Sequence, residues 1–198
     1  MDKVKFGLKI IVNLLKESLI IFIYMLMMGI MSFLILMINS TFVKVALLIL
    51  VILFYLFMCV LLTKSTGEIH FKALVTGNIR RQQENSEDIN KYCKTEKEYR
   101  FYKGFLIGII ISSLTYILLI IRLFISSNNI DVCLKILNLL YWSLLSVFDN
   151  TASIFYLALF TLLNVASCGF GYYLGAKKIM LQQEKLQNIH DEIYGKGK

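Results

Sequence analysis

The stretch TASIFYLALFTLLNVASCGFGYYLGAKK, residues 151–178, decides the fold. Between Asp149 and Lys177 about 27 positions follow one another without a charged residue. A bilayer core of ~30 Å requires about 20 residues of helix at a rise of ~1.5 Å each. The stretch therefore predicts a membrane-spanning helix that crosses with some tilt.

The rest of the chain is similarly apolar. Of its 198 residues, 58% are hydrophobic and the mean hydropathy is +0.69, which is too apolar for a soluble domain of this size. Because unpaired backbone groups are costly in hydrocarbon, the apolar blocks must be helices or strands of a closed barrel. The long runs without alternation exclude barrel strands. The sequence predicts an all-α integral membrane protein with a single membrane domain.

Four spans are expected, at residues 18–38, 45–62, 104–124 and 151–176. The polar turn 39–41 is so short that the first two spans form an antiparallel hairpin. Residues 64–103 form a polar cytoplasmic loop, and residues 177–198 form a helical cytoplasmic tail. The segment 1–17 alternates basic and apolar positions. It is either an amphipathic helix on the cytoplasmic leaflet or an inward extension of the first span.

Residues 132–148 are apolar enough to span, but a polar stripe recurs every three or four positions along them. Such a stripe is typical of an amphipathic helix at the outer interface, with Trp142 at headgroup level. Whether the segment stays at the interface or re-enters the bilayer is left open. With four spans, 18 of the 21 Lys and Arg residues lie on one side. The positive-inside rule therefore favours four spans, with both termini cytoplasmic.

Two spans carry small residues spaced by four, the pattern that lets two backbones approach closely in lipid. These are Gly104, Gly108 and Ser112 in the third span, and Ser167, Gly171 and Gly175 in the fourth. The two spans run antiparallel, so matching their depths places Gly104 beside Gly175, Gly108 beside Gly171, and Ser112 beside Ser167. We expect close helix packing along this line.

Two polar pairs accompany these residues. Thr115 and Asn164 come near the middle of the bilayer. They would form an interhelical hydrogen bond worth ~0.6 kcal/mol or line a solute path, and the first is favoured because no ionisable residue accompanies them. Arg122 lies at the outer boundary, where Asp149 is its candidate ion-pair partner.

The sequence predicts no catalytic, cofactor-binding or metal-ligating residue. Neither His70 nor His190 falls in a span, which excludes haem ligation between membrane helices. His190, Asp191 and Glu192 are consecutive, so on a helix their side chains point in different directions and cannot converge. The four cysteines share no metal-ligand or redox spacing.

Three passages resemble a known group of proteins: EYRFYKGFLIG at residues 98–108, GYYLGAKK at residues 171–178, and EIYG at residues 192–195. They are similar to small uncharacterised membrane proteins of Gram-positive, clostridia-like bacteria. The resemblance implies a plasma-membrane location and transfers neither an activity nor site residues.

The leading hypothesis is a non-enzymatic membrane component that works through helix association, with itself or with a partner subunit. Its basic inner face would meet the anionic headgroups of the bilayer. The net charge of +8 is read as a topology signal, and nucleic acid is not expected as a partner. The alternative is a small transporter or channel subunit that uses the polar patch Ser112, Ser113, Thr115, Tyr116, Asn164 and Ser167. An enzyme is disfavoured because no nucleophile–base or carboxylate pair falls at one depth.

Overall fold

The computed structural model describes residues 2–83, 98–125, 127–148 and 155–194. Within these ranges the chain forms six helices: α1 (Asp2–Ile35), α2 (Thr41–Gln83), α3 (Tyr102–Phe124), α4 (Asn128–Leu137), α5 (Leu139–Phe148) and α6 (Phe155–Tyr194). Four of them, α1, α2, α3 and α6, are long and apolar enough to cross a membrane. The regular structure of the described residues is all helical, and these four helices indicate a multi-pass membrane protein.

Three helices extend beyond the predicted spans. α1 includes the segment 2–17, which therefore prolongs the first span as one continuous helix. α2 continues to Gln83 and so converts the first half of the predicted loop into helix, and α6 continues to Tyr194. The chain contains no proline, the residue that most strongly interrupts a helix. Residues 84–97 of the predicted loop, and 195–198 of the predicted tail, lie outside the described residues.

α6 lies between α2 and α3 and contacts both. Gly104 of α3 meets Tyr172 of α6, and the Ser112 hydroxyl donates to the Thr161 carbonyl at 3.3 Å, so these two helices are antiparallel. Residue numbers on α2 and α6 rise together along their contact, so that pair is parallel. We call the end of the bundle that holds Lys64, Lys103 and Lys178 the basic end.

The segment between α3 and α6 differs from the predicted interfacial helix 132–148. It consists of two helices, α4 and α5, which are bent by 108°. Asp131 of α4 pairs with Arg122 near the end of α3, and Asn138 accepts a hydrogen bond from Thr115 near the middle of α3. α4 therefore descends along α3 into the bundle. α3 ends and α6 begins at the same end of the bundle, so the chain between them enters and leaves at that end. α4 and α5 therefore form a re-entrant pair and not a fifth span.

Burial explains why this segment leaves the interface. Leu134, Asn138, Leu140 and Tyr141 are all 0% exposed, whereas an interfacial helix would leave its polar side in water. Asn138 stabilises the break between the helices: its side-chain amide donates to the Leu134 carbonyl at 3.0 Å. Its own carbonyl accepts the N–H groups of Tyr141 and Trp142. These bonds satisfy backbone groups that hydrocarbon could not satisfy.

Candidate functional site

Gly171 and Gly175 of α6 face α2. A Cβ atom added at Gly171 would lie 2.3 Å from the Thr63 hydroxyl oxygen and 2.5 Å from the Val60 carbonyl oxygen. At Gly175 it would lie 2.1 Å from the Lys64 carbonyl oxygen. Only the absence of a side chain allows these backbones to approach so closely.

α2 supplies small residues of its own to this contact. Cys59, Thr63 and Gly67 are spaced by four. A Cβ atom at Gly67 would lie 2.2 Å from the carbonyl oxygen of Tyr172. We call the contact formed by Thr63, Gly67, Gly171 and Gly175 the α2–α6 seam.

The glycines of α3 also face α6, but at other positions than predicted. A Cβ atom at Gly104 would lie 2.5 Å from the Tyr172 Cβ, and one at Gly108 would lie 2.4 Å from the Val165 Cα. Gly169 completes this contact, with its Cα 3.1 Å from the Cβ position of Gly104.

The predicted pairs Gly104–Gly175, Gly108–Gly171 and Ser112–Ser167 are therefore wrong. α6 is displaced along α3 by several positions, and Ser112 bonds Thr161 where Ser167 was expected. The physical reason is the face of α6: consecutive helical residues differ by about 100°, so Gly169 and Gly171 point to nearly opposite sides. The sequence contained the signal in α2, but the predicted second span ended at Leu62. Thr63 was therefore left outside the span, and Gly67 was assigned to the loop 64–103.

The re-entrant pair separates the two residues of the predicted polar patch. Thr115 donates to the Asn138 side-chain oxygen at 3.1 Å, and Asn164 accepts a hydrogen bond from the Tyr141 hydroxyl. The Asn164 amide nitrogen also lies 3.8 Å from the Met25 sulfur. The predicted direct bond between Thr115 and Asn164 is thus replaced by two bonds to α4 and α5.

Arg122 is paired with Asp131. Its Nε donates to one carboxylate oxygen, and its Nη2 donates to the other at 3.2 Å. These hydrogen bonds lower the pKa of Asp131 below its ordinary value, against a smaller opposing effect of burial. The predicted partner, Asp149, lies outside the described residues. The pair fastens α4 to the end of α3.

A cluster of ionisable and aromatic side chains lies at the basic end, and sequence reasoning missed it. His70 of α2 is 4% exposed. Its Nδ1 lies 2.8 Å from the Tyr172 hydroxyl of α6, and its Nε2 lies 3.6 Å from a Glu17 carboxylate oxygen of α1. Three of the four spanning helices therefore meet at this histidine.

The residues just before α3, together with its first turn, close this cluster. The Tyr99 N–H donates to the His70 carbonyl at 3.0 Å, and the Tyr99 ring stacks on the ring of Tyr172 with centroids 5.0 Å apart. Burial raises the pKa of Tyr99. Lys103 is 1% exposed, and its ammonium donates to the Glu98 carbonyl at 2.7 Å. Charged and polar groups are thus held by specific bonds, as buried polar groups must be.

Two concave regions border the basic end. A cleft of about 200 Å³ between α1, α2 and α3 is lined by Glu17, Thr63 and Thr66 among others. A larger groove of about 440 Å³ between α2 and α6 is lined mainly by lysines and leucines. In the part of the chain that the structure describes, no group of three or more His, Cys, Asp or Glu side chains is placed to hold a metal ion.

The Thr115–Asn138 and Tyr141–Asn164 bonds hold the re-entrant pair, and the His70 cluster joins the basic ends of three spans. No protein-family model, no curated protein and no solved structure matches this chain.

Proposed function

We propose that the chain is a multi-pass plasma-membrane protein with cytoplasmic termini that acts without catalysis, as an accessory component that associates with a second copy of itself. The association surface is the end of α6 from Met180 onward. The concentration of Lys and Arg residues at the basic end supports this orientation, because cytoplasmic segments carry that excess.

The exposed apolar face of α6 carries the proposal. Ile179 is 5% exposed, whereas Leu186 and Ile189 on the same helical face are 67% and 51% exposed. Every described side chain from Met180 to His190 is exposed. The tail therefore leaves an apolar stripe uncovered by the described part of the chain.

A second copy fits this stripe. The tails of two copies leave the same membrane surface in the same direction, so their stripes can pair in parallel. Gln182, Leu186 and Ile189 follow the spacing of a two-stranded coiled coil. Two heptads are too short to associate stably from solution, but anchoring both chains in one membrane raises their effective concentration.

The small-residue contacts do not supply this association. The glycines of α3 and α6 are occupied by other helices of the same chain. They stabilise the single chain, and the association between chains is therefore proposed at the tail.

The test is the oligomeric state of the full-length protein in lipid nanodiscs and at low density in vesicles, measured by single-molecule photobleaching. Wild type should be dimeric, and the double variant Leu186→Gln/Ile189→Gln should be monomeric. Leu181→Gln is the matched control, since Leu181 is 48% exposed on another face of the same helix. A monomeric wild type, or a double variant that stays dimeric, would refute the proposal.

The orientation has its own test. Cys133 is exposed in α4, at the end opposite the basic end, and Cys93 falls in the predicted cytoplasmic loop. A membrane-impermeant maleimide should label Cys133 on intact cells and Cys93 only after permeabilisation. Labelling in the reverse order would place the termini outside.

A second candidate function, a transporter or channel subunit, is favoured by the re-entrant pair. A helix break at mid-membrane is common where a solute or ion passes. Here the break at Asn138 faces Thr115, while Tyr141 reaches Asn164. These bonds would close a path through the bundle until the pair moves.

Cation flux tests this candidate. Vesicles containing the protein are given a potassium gradient, and potassium and proton movements are followed with ion-sensitive dyes. Asn164→Leu should abolish a wild-type flux. Ser32→Ala should preserve it, because Ser32 lies outside the polar patch and its hydroxyl bonds only the Met28 carbonyl of its own helix among the described contacts. No wild-type flux above empty vesicles, or equal flux in both variants, would count against it.

A further inference from the structure

The groove of about 440 Å³ between α2 and α6 combines charge with an apolar wall. Four lysines line it, Lys64, Lys177, Lys178 and Lys185, together with Leu174 and Leu181. Among the described residues that line it there is no Asp or Glu. The groove therefore brings four cationic side chains together beside an apolar wall.

The height of the groove matches the headgroup layer. Lys64 is the first cation after the apolar run of α2, and Lys177 is the first after the apolar run of α6. Leu174 lies one turn nearer the membrane centre than Lys177. A ligand in the groove thus meets ammonium groups on one side and the hydrocarbon boundary on the other.

Ion pairing with carboxylates does not account for all four lysines of the groove. Lys178 pairs with Glu68 at 2.9 Å, and its side chain remains 48% exposed. Lys64, Lys177 and Lys185 line the groove, and no carboxylate is among its described lining residues. Basic pockets between spanning helices recognise anionic lipid headgroups through such ammonium groups.

We propose that this groove binds the phosphate of an anionic phospholipid among Lys64, Lys177 and Lys185, with the start of an acyl chain along Leu174. The apolar wall selects a lipid over free phosphate. The site requires neither the proposed association of tails nor the proposed orientation, because it depends only on contacts within one chain.

Lipid titration of the full-length protein tests this site. Delipidated protein in neutral detergent is titrated with phosphatidylglycerol or phosphatidylcholine, and the bound lipid is counted by native mass spectrometry. Phosphatidylglycerol should bind at one site per chain and raise the melting temperature, whereas phosphatidylcholine should do neither. Equal binding of the two lipids would overturn the proposal.

Charge variants locate the site. Lys64→Gln/Lys177→Gln should weaken phosphatidylglycerol binding by at least about tenfold, and Lys64→Arg/Lys177→Arg should retain most of it. Lys72→Gln is the control, since Lys72 lies on α2 beyond the groove, and it should leave binding unchanged. An equal loss in Lys72→Gln would show a diffuse charge effect and reject the groove.

Two further measurements complete the test. Inorganic phosphate at millimolar concentration should not displace the lipid, and saturation by phosphate alone would identify a free-phosphate site and reject the lipid. The melting temperature of the Gln variant without added lipid should match wild type. If the melting temperature of the Gln variant is lower than that of wild type, the Lys64→Arg/Lys177→Arg variant provides the test. Loss of phosphatidylglycerol binding in a stable Arg variant would contradict recognition by charge.

Discussion

Replacing Gly175 by alanine tests the α2–α6 seam most directly. The new methyl carbon would lie 2.1 Å from the Lys64 carbonyl oxygen and 2.8 Å from the Glu68 amide nitrogen. Ordinary contacts begin near 3.4 Å, so the two backbones must separate by roughly 1.3 Å at this point. Neither obstructing atom belongs to a side chain that could rotate away.

The magnitude follows from two opposing effects. Overpacking a close contact costs about 1–3 kcal/mol, and alanine recovers about 1 kcal/mol of helix propensity relative to glycine. Because both obstructing atoms are backbone, we expect the upper part of the overpacking range and a net loss of about 1–2 kcal/mol in the free energy of unfolding. Gly169→Ala is the matched control on the same helix. Its methyl meets the Phe105 ring at 2.6 Å, and that ring can turn, so its net effect should be near zero.

The assay is reversible unfolding in mixed micelles, followed by the fluorescence of Trp142, the single tryptophan. A double-variant cycle then identifies the partner helix. Gly67→Ala lies on the same seam, so its cost should fall by ~0.5 kcal/mol or more once Gly175→Ala has separated the helices. Gly108→Ala lies on the α3 contact, so its cost should add to that of Gly175→Ala. Coupling to Gly108 in place of Gly67, or equal stability of the Gly169 and Gly175 variants, would refute the described register.

Three further outcomes are expected in the same unfolding assay. Since the pKa of Asp131 is lowered from 3.8, its pairing with Arg122 contributes stability above about pH 4 and loses it as the pH falls through the folded-state pKa. Asp131→Asn should remove this pH dependence and cost ~0.2–1 kcal/mol at pH 7, and a wild-type slope retained in Asp131→Asn would contradict the assignment. Tyr141→Phe should cost ~1–3 kcal/mol because Asn164 loses its buried hydrogen-bond donor, and a neutral effect would argue against that bond. Glu68→Gln should cost no more than ~1 kcal/mol because its lysine partner is largely solvated, and a larger loss would indicate a buried role.

The number of spans could be predicted from sequence because hydropathy and length do not depend on partners. The ends of the helices could not. The predicted second span stopped at Leu62 because Lys64 follows, yet α2 crosses that boundary and continues to Gln83. A lysine at the membrane surface can extend toward water while its backbone stays helical, so a charge marks the edge of the bilayer and not the end of the helix.

The small residues could be found from sequence, but their partners could not. A spacing of four identifies a face on each helix, and several faces qualify on α6. Gly169 serves α3, whereas Gly171 and Gly175 serve α2. The face of α2 that carries the small residues Thr63 and Gly67 decides which glycines of α6 contact α2. These two residues lay beyond the predicted second span. Depth matching of two helices fails when a third helix competes for the same glycines.

Buried polar residues determine the register between the helices, which the small residues alone do not. A stripe of glycines spaced by four permits several registers, each displaced by one helical turn, at similar packing energy. The hydrogen bond of Tyr141 with Asn164 and that of His70 with Tyr172 exist in one register only. A buried polar group that loses its partner does not gain water in its place, so these bonds select the observed arrangement from those the glycines allow. They join residues far apart in the chain. Local patterns therefore assigned His70 to a polar cytoplasmic loop, and they favoured an interfacial helix for the segment containing Tyr141 while leaving its re-entry into the bilayer open.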